Sequence, residues 1–405
     1  MPFGFKGNIL TTSSAATGAN AFVDYDGSND QTFTRNAAVQ GFLGFAAFND
    51  EYGVSLHITD AGGQSSDLIR YDVLRNNSGT LSIANQDQSF LTTGTSNYTN
   101  FKANIVPTNS GNIYAYTDSG GSSAATLSIS GSTVTLHTLF NSTQSTGNGG
   151  YMFRRPSSDA YVNMLERGAE VMTLTDNGNS SSTSTGSESS VSSSDMFFNN
   201  ARAVNGFKDA NTVLMWKTNE DGGGTFIDSI QPFELDLTTT GSQSPVSTVS
   251  GVSAVNLDLN SPNPTNVSDF GQSGGSHFET TDFNDTLMFF ERKGSSTPGQ
   301  IRVHHYTAGA SSITTSNTLT YSAGSDGDTS FTGCFVGANN DVFLFAHLQD
   351  PSNMIICKFV KSTNTLSEIT RINESFNVEK CRMSRWGDGA ALLTYNDVKM
   401  RLIKP

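Results

Sequence analysis

A chain of 405 residues with 27 Phe and 35% hydrophobic residues carries enough apolar surface for a packed core, so its 15% of charged residues does not signal disorder. A net charge of -14, with no cluster of Lys and Arg against it, repels phosphate backbones and excludes nucleic acid as an expected partner. No run approaches the roughly 18 apolar residues of a membrane helix, and residues 1–10 lack the basic-then-apolar pattern of a secretory signal. The sequence therefore predicts a protein made in a cytoplasm, with no membrane contact.

Ser, Thr, Asn and Gly supply the polar surface, and these favour turns and strands over helices. In chain order, the acidic stretch DYDGSND at 24–30 comes first. Asp24, Asp26, Ser28 and Asp30 place oxygen atoms at every second residue, as calcium loops do. The Gly and closing Glu of such loops are missing, so a solvated turn is the plainer reading, and Asp24, Asp26 and Asp30 are the candidate metal ligands. A shorter acidic turn, Asp326 with Asp328, reads in the same way.

From Gly41 onward one phrase recurs: an apolar strand, a tight polar turn, then a more strongly apolar strand. It reads GFLGFAAFND then GVSLHI from Gly41, and CFVGANND then VFLFA from Cys334. Aligned on the turn residue it falls at Asp50, Gly111, Asp159, Asp209, Asp285, Asp341 and Asp388. A repeat of roughly 40 to 50 residues holding four short strands is the blade of a propeller. The expected fold is thus all-β, a seven-bladed β-propeller over residues 1–405 as one domain.

In the first unit the third and fourth strands are expected at 67–74 and 79–85, and in the sixth all four at 331–336, 342–346, 354–361 and 365–372. The last unit offers only three, at 380–386, 390–395 and 398–403. An exposed ladder there would invite aggregation, so residues 20–24 or 31–34 are expected to supply its outer strand and close the ring. Two stretches interrupt the pattern: the Ser/Thr-rich 177–195, expected to be a surface loop, and the Gly/Pro-rich 260–276, expected to connect two blades.

The position seven residues before the turn holds Leu43, Asn104, Met152, Arg202, Phe278, Cys334 and Cys381, and is expected to face neighbouring blades. Facing sheets lie about 10 Å apart, whereas a disulfide needs Cα atoms within about 7 Å, so Cys334 and Cys381 are expected to be free buried thiols. The third cysteine, Cys357, has no Cys-x-x-Cys partner either.

Several residues have the chemistry of catalysis without its context. GQSGG at 271–275 matches the nucleophile-elbow pattern, but Ser273 has neither the preceding strand nor the following helix that the elbow requires. His304 and His305 are adjacent on a strand and point to opposite faces, and His57, His137 and His347 each sit in an apolar strand, where a hydrogen-bonded structural role is expected. The repeated turn Asp residues recur at one position, which fits turn building over the paired carboxylates of a glycosidase. No catalytic residue and no cofactor are expected.

Gly-Gly pairs follow the second strand in TDAGG at 59–63, TDSGG at 117–121 and EDGG at 220–223, and in this the chain resembles kelch repeats. It departs from them in lacking their Tyr and Trp positions, and it has no WD dipeptide. In its few charges and its short Phe-rich strands set in Asn, Ser, Thr and Gly, the chain also resembles propeller-containing virion proteins of tailed bacteriophages. That resemblance implies a non-enzymatic platform in a tail, a fibre or the capsid surface, located in the virion, with other virion proteins as partners and the particle setting the oligomeric state. A carbohydrate-binding module that recognises a host-surface glycan is the alternative, followed by a propeller glycosidase.

Overall fold

The computed structural model describes residues 31–32, 39–59, 68–77, 79–92, 102–107, 111–118, 122–142, 152–154, 160–165, 168–176, 181–190, 203–204, 206–220, 226–236, 238, 246–259, 265–266, 285–293, 299–321, 329–336, 341–348, 353–372, 382–386, 391–395 and 399–403. Among these, every regular element is a strand except the 3-10 turn Lys361–Thr363, and the strands form seven sheets. The chain is all-β.

The sheets follow one another along the sequence, mostly as four-strand meanders. The first runs Val39–Ala47, Tyr52–Thr59, Leu68–Asn77, Thr80–Thr92. The second is Lys102–Pro107, Ile113–Asp118, Ser122–Ser130, Thr133–Ser142, and the third Met152–Arg154, Ala160–Leu165, Gly168–Asp176, Ser181–Ser190. In the fourth, Gly206–Asp209 and Thr212–Glu220 precede Phe226–Asp236, which is flanked by three short pieces, Val246–Thr248, Val255–Asn256 and Thr265–Asn266. The fifth holds Thr286–Lys293 and Gly299–Thr307 with Thr314–Thr315 and Leu319–Tyr321, and the sixth Thr329–Val336, Asp341–Leu348, Asn353–Val360, Thr365–Ile372. The seventh combines Arg382–Arg385, Ala391–Tyr395 and Lys399–Ile403 with Gln31–Thr32, where Gln31 pairs with Met400 and Thr32 with Lys399.

Two local expectations are corrected, one within 177–195 and one beside Thr286–Lys293. Ser181–Ser190, inside the stretch read as a loop at 177–195, is the fourth strand of the third sheet. Ser and Gly favour turns, but a ladder satisfies backbone groups whatever side chains they carry, and Thr suits a strand. Within 260–276, Thr265–Asn266 pairs with Phe226 and Ile227. Beside Thr286–Lys293, the neighbouring strand comes from Ala203–Val204, far back in the chain, with Ala203 opposite Phe289 and Val204 opposite Met288. The sequence just before Asp285, ETTDFND, has no alternating apolar face to offer that position. Phe278 lies outside the described residues.

By contacts the chain falls into two compact units. The first comprises Met1–Ser145, Leu174–Thr183 and Ser384–Pro405. Strict alternation on Tyr52–Thr59 sends Val54 and Leu56 into a cluster with Val73, Ile113, Ala115 and Leu127, all fully buried, between the first two sheets. A second cluster joins Phe45, Leu74 and Leu81 to Trp386, Leu392, Met400 and Leu402. Here the Trp386 ring lies 4.8 Å from that of Phe45 and its Nε1–H donates to the Asn49 carbonyl at 3.2 Å.

Gly53 is small because Phe45 packs over it: a Cβ there would lie 2.3 Å from the Phe45 Cζ and 2.5 Å from Cε2. That ring is buried against Trp386, so it must displace its neighbours to give way. Gly53→Ala is expected to destabilise the first unit by about 1–3 kcal/mol through overpacking. A urea unfolding midpoint unchanged from the wild type would refute this.

The second unit comprises Thr146–Thr173 and Ser184–Met383. One of its clusters gathers Leu214, Trp216, Ile230, Leu287, Phe289 and Tyr306 with Val252 and Leu257. Cys357, on Asn353–Val360, is free and fully buried. The Cys334 side chain and all of Cys381 lie outside the described residues.

Burial, reinforced by the nearby Glu368 carboxylate, pushes the Cys357 thiol up to about 12. The folded state thus holds this proton more tightly than the unfolded chain. The associated stability is complete below the ordinary thiol value of 9.0 and is lost as the pH climbs from there towards about 12. Cys357 is expected to resist maleimide in the native protein at mildly alkaline pH and to react on unfolding; mass spectrometry of the labelled peptide checks this.

Candidate functional site

Among the described residues, the groups with catalytic chemistry concentrate in two places, one in each unit. In the first sheet, Ser55 and His57 share the face of Tyr52–Thr59 opposite to Val54 and Leu56, and Asp72 stands directly across from Ser55. The fourth strand bulges between the pairs Tyr71–Gln88 and Val73–Asn85, and within the bulge Asp87 takes a left-handed backbone, φ 56°, a conformation that Asp tolerates. The bulge brings Asp87 back onto the same face. Its N–H donates to Asp72 Oδ1 at 2.7 Å, and its Oδ1 lies 3.2 Å from His57 Nε2.

On the other side of the ring, His57 Nδ1 lies 3.3 Å from Asp72 Oδ2. Arg70 completes the group, donating to the Asp87 carbonyl at 3.0 Å, with its Nε 3.7 Å from the Asp87 carboxylate. Ser, His and Asp on one face have the types of a nucleophilic triad. Ser55 Oγ, however, is buried without a hydrogen-bond partner, and the His57 and Asp72 side chains are wholly inaccessible. The ring faces two carboxylates and so ties three strands together.

The fifth sheet holds the second arrangement, around Glu291, whose side chain is completely buried. Glu291 Oε2 accepts from Arg302 Nε at 2.5 Å and lies 2.7 Å from His304 Nε2, while Oε1 accepts from the Leu259 N–H at 2.9 Å. Arg302 also pairs with Asp258, and the Thr315 hydroxyl lies 2.9 Å from His304 Nδ1.

His305 points the other way. Its Nε2 is 3.2 Å from Asn364 Oδ1 and its ring 5.5 Å from that of Phe359, so the adjacent histidines serve different neighbours. Burial lowers the His305 pKa, opposed by the hydrogen bond that its ring donates to Asn364 Oδ1. Around it the fifth and sixth sheets are joined by polar bonds. Asn317 bonds both the N–H and C=O of Leu366, at 2.7 and 2.9 Å, and Asn364 Nδ2 donates to the Thr315 carbonyl at 2.6 Å. Lys361 Nζ donates to Thr286 Oγ1 at 2.6 Å, with its pKa lowered by burial against the opposing charge of Asp285.

On the surface, an open depression of about 560 Å³ is lined by Asp209, Ala210, Asn211, Thr212, Glu234, Asp236 and Thr238. Its carboxylates are held locally. Asp209 accepts from the Asn211 N–H at 2.8 Å, Asp236 from the Thr238 N–H at 2.8 Å, and Glu234 from Lys208 at 2.9 Å. Asp209 therefore builds the turn at its repeat position. At the first turn the neighbour of the expected residue does so: Asn49, not Asp50, accepts from the N–H groups of Glu51 and Tyr52, at 2.9 and 2.8 Å.

Asp24, Asp26 and Asp30, with Ser28, Ser273, Asp326 and Asp328, lie outside the described residues. Among the described residues, no group of three or more His, Cys, Asp or Glu is arranged to hold a metal ion, and no helix is long and apolar enough to cross a membrane. Sequence reasoning missed Asp72, Asp87, Glu291 and Asn364. A signal existed for two of them: Asp72 interrupts the run IRYDVL and Glu291 directly follows LMFF, each an acid set in a strand of buried neighbours.

No family model and no curated protein matches the chain. Solved structures to which it is similar include U3-55K, at 8% identity over 93% of this chain and 98% of that one, with a TM-score of 0.49. Another is a protein provisionally described as a 6-phosphogluconolactonase from Bacteroides uniformis, at 12% identity over 85% and 89%, TM-score 0.45. A chain of the mitotic checkpoint complex is similar at 11% identity over 87% and 86%, TM-score 0.44. These are β-propeller-like folds, and likeness at this level says nothing of activity or partner.

Proposed function

We propose that this chain is a non-enzymatic structural protein whose seven sheets are the blades of one β-propeller, used as a rigid platform within a virus particle. In this reading Gln31–Thr32 is the outer strand of the last blade and closes the ring. The observation that carries it is the pairing of Gln31 with Met400 and Thr32 with Lys399, which ties sequence from the two ends of the chain into a single sheet. Such a tie protects the last ladder and resists opening of the ring.

The described histidines and acids support a structural role. His57, Asp72, Glu291 and His304 are buried cross-ties within sheets, and Asn317 and Asn364 join one sheet to the next. The placement in a bacteriophage tail or fibre, or on the capsid surface, rests on the texture of the sequence. Purified particles test it: electron microscopy and protein quantification are expected to find this chain at a fixed copy number. Its absence from particles would overturn the reading, and glycan-array binding by a chain that never enters particles would favour the carbohydrate-binding alternative.

A further inference from the structure

The outer strand of the fourth sheet is interrupted. Val246–Thr248 pairs with residues 233–235 and Val255–Asn256 with Ser229 and Ile230, while residues 249–254 leave the ladder between them. That excursion turns at Gly251, whose φ of +79° suits glycine, and it is held by the Val249 N–H on the Pro232 carbonyl at 3.2 Å and by Gln231 Nε2 on the Val252 carbonyl at 2.7 Å. On the other side of Phe226–Asp236, strand Thr212–Glu220 pairs along its whole length, with one register shift between Asn219 and Glu220. The outer segment is thus the weakly laddered part of the sheet, from which local opening starts.

This segment covers an apolar face. Val252 and Leu257, each 4% exposed, pack on Leu214, Trp216, Ile230, Leu287, Phe289 and Tyr306. At its far end, polar bonds replace the ladder: Leu259 N–H donates to Glu291 Oε1, and Arg302, which holds Glu291 Oε2, also pairs with Asp258. One buried carboxylate thus anchors the end of the segment to the fifth sheet.

We propose that residues 246–259 form a releasable strap, which protonation of Glu291 frees from the fifth sheet, uncovering the aromatic face beneath Val252 and Leu257. The charged and titratable groups facing this latch are Arg302 and His304 from Gly299–Thr307 and Asp258 from the strap itself, with the Thr315 hydroxyl behind His304. A proton gained by His304 leaves its Nε2–H on Glu291 and adds positive charge beside the carboxylate, which tightens the latch. A proton gained by Glu291 removes the charge that Arg302 and His304 face. The strap is therefore held while Glu291 carries its charge and is released when that charge is lost.

Hydrogen exchange of the full chain, corrected for intrinsic rates, tests this from neutral to acid pH. Amides of 249–259 are expected to lose roughly tenfold or more in protection before the rest of the second unit does, the scale of losing a hydrogen bond to a charged group. A dye that fluoresces on apolar surfaces should bind over the same pH range. Glu291→Gln is expected to release the strap already at neutral pH, because its amide presents a donor where only acceptors fit.

Should that variant not fold, Leu259→Pro deletes the strap's own donor and leaves the strands intact. Asp258→Asn, which keeps Glu291, should retain most of the protection. Strap amides as protected as in the wild type in every folded latch variant would overturn the proposal. So would loss of strap protection only together with loss of protection in the rest of the second unit, or release without dye binding.

Discussion

Replacing His57 by Ala is expected to destabilise the first unit by about 1–3 kcal/mol, the scale of leaving buried polar groups without their partner. The ring stands between Asp72 and Asp87, at 3.3 and 3.2 Å, with the Asp72 side chain wholly buried and that of Asp87 8% exposed. Removing it leaves two carboxylates on one face, with Arg70 beside Asp87. The cost arises from the acids left behind. Trp386 reports this unit and Trp216 the other, so fluorescence-monitored denaturation in a Trp216→Phe background isolates the effect. A change below about 1 kcal/mol, the scale of an exposed pair, would show that His57 is not a cross-tie.

Trp216→Ala is expected to cost the second unit about 3–5 kcal/mol through cavity formation. Trp216 is fully buried, meets the Phe289 ring edge-on at 6.4 Å, and donates from Nε1 to the Met288 carbonyl at 3.0 Å. That bond spans two sheets, since Trp216 lies on Thr212–Glu220 and Met288 on Thr286–Lys293. Trp216→Phe retains much of the apolar contact while losing the donor, so its cost should be smaller, about 1–3 kcal/mol. Urea midpoints of the two variants decide the matter, and equal losses would mean that the hydrogen bond, rather than packing, dominates.

Where apolar alternation is strong, the strands were legible from sequence. The expected segments 354–361 and 365–372 correspond to Asn353–Val360 and Thr365–Ile372, and 390–395 and 398–403 to Ala391–Tyr395 and Lys399–Ile403. The short strand Ala203–Val204 was not legible, because two residues carry no periodicity and their partner is distant in the chain. Ser181–Ser190 was hidden by a composition that suits turns as well as strands.

The buried polar groups show another limit. Alternation separates Ser55, His57 and Asp72 from the apolar face of their sheet, which on its own predicts solvent exposure. Both faces are in fact buried, and this depends on what packs there, which no single strand encodes. Asp87 reaches His57 only through a bulge in Thr80–Thr92, and Asn49 rather than Asp50 caps its turn because side-chain geometry, not residue type alone, selects the acceptor.

Electron cryo-microscopy of the isolated protein tests the central proposal, a single seven-bladed ring closed by its own N-terminal region, most directly. The expected result is one disc of seven radial sheets, with density joining Gln31–Thr32 to Lys399–Ile403 on the outer edge of the last blade. A different number of blades, two separable bodies, or Gln31–Thr32 detached from the last strand would contradict it.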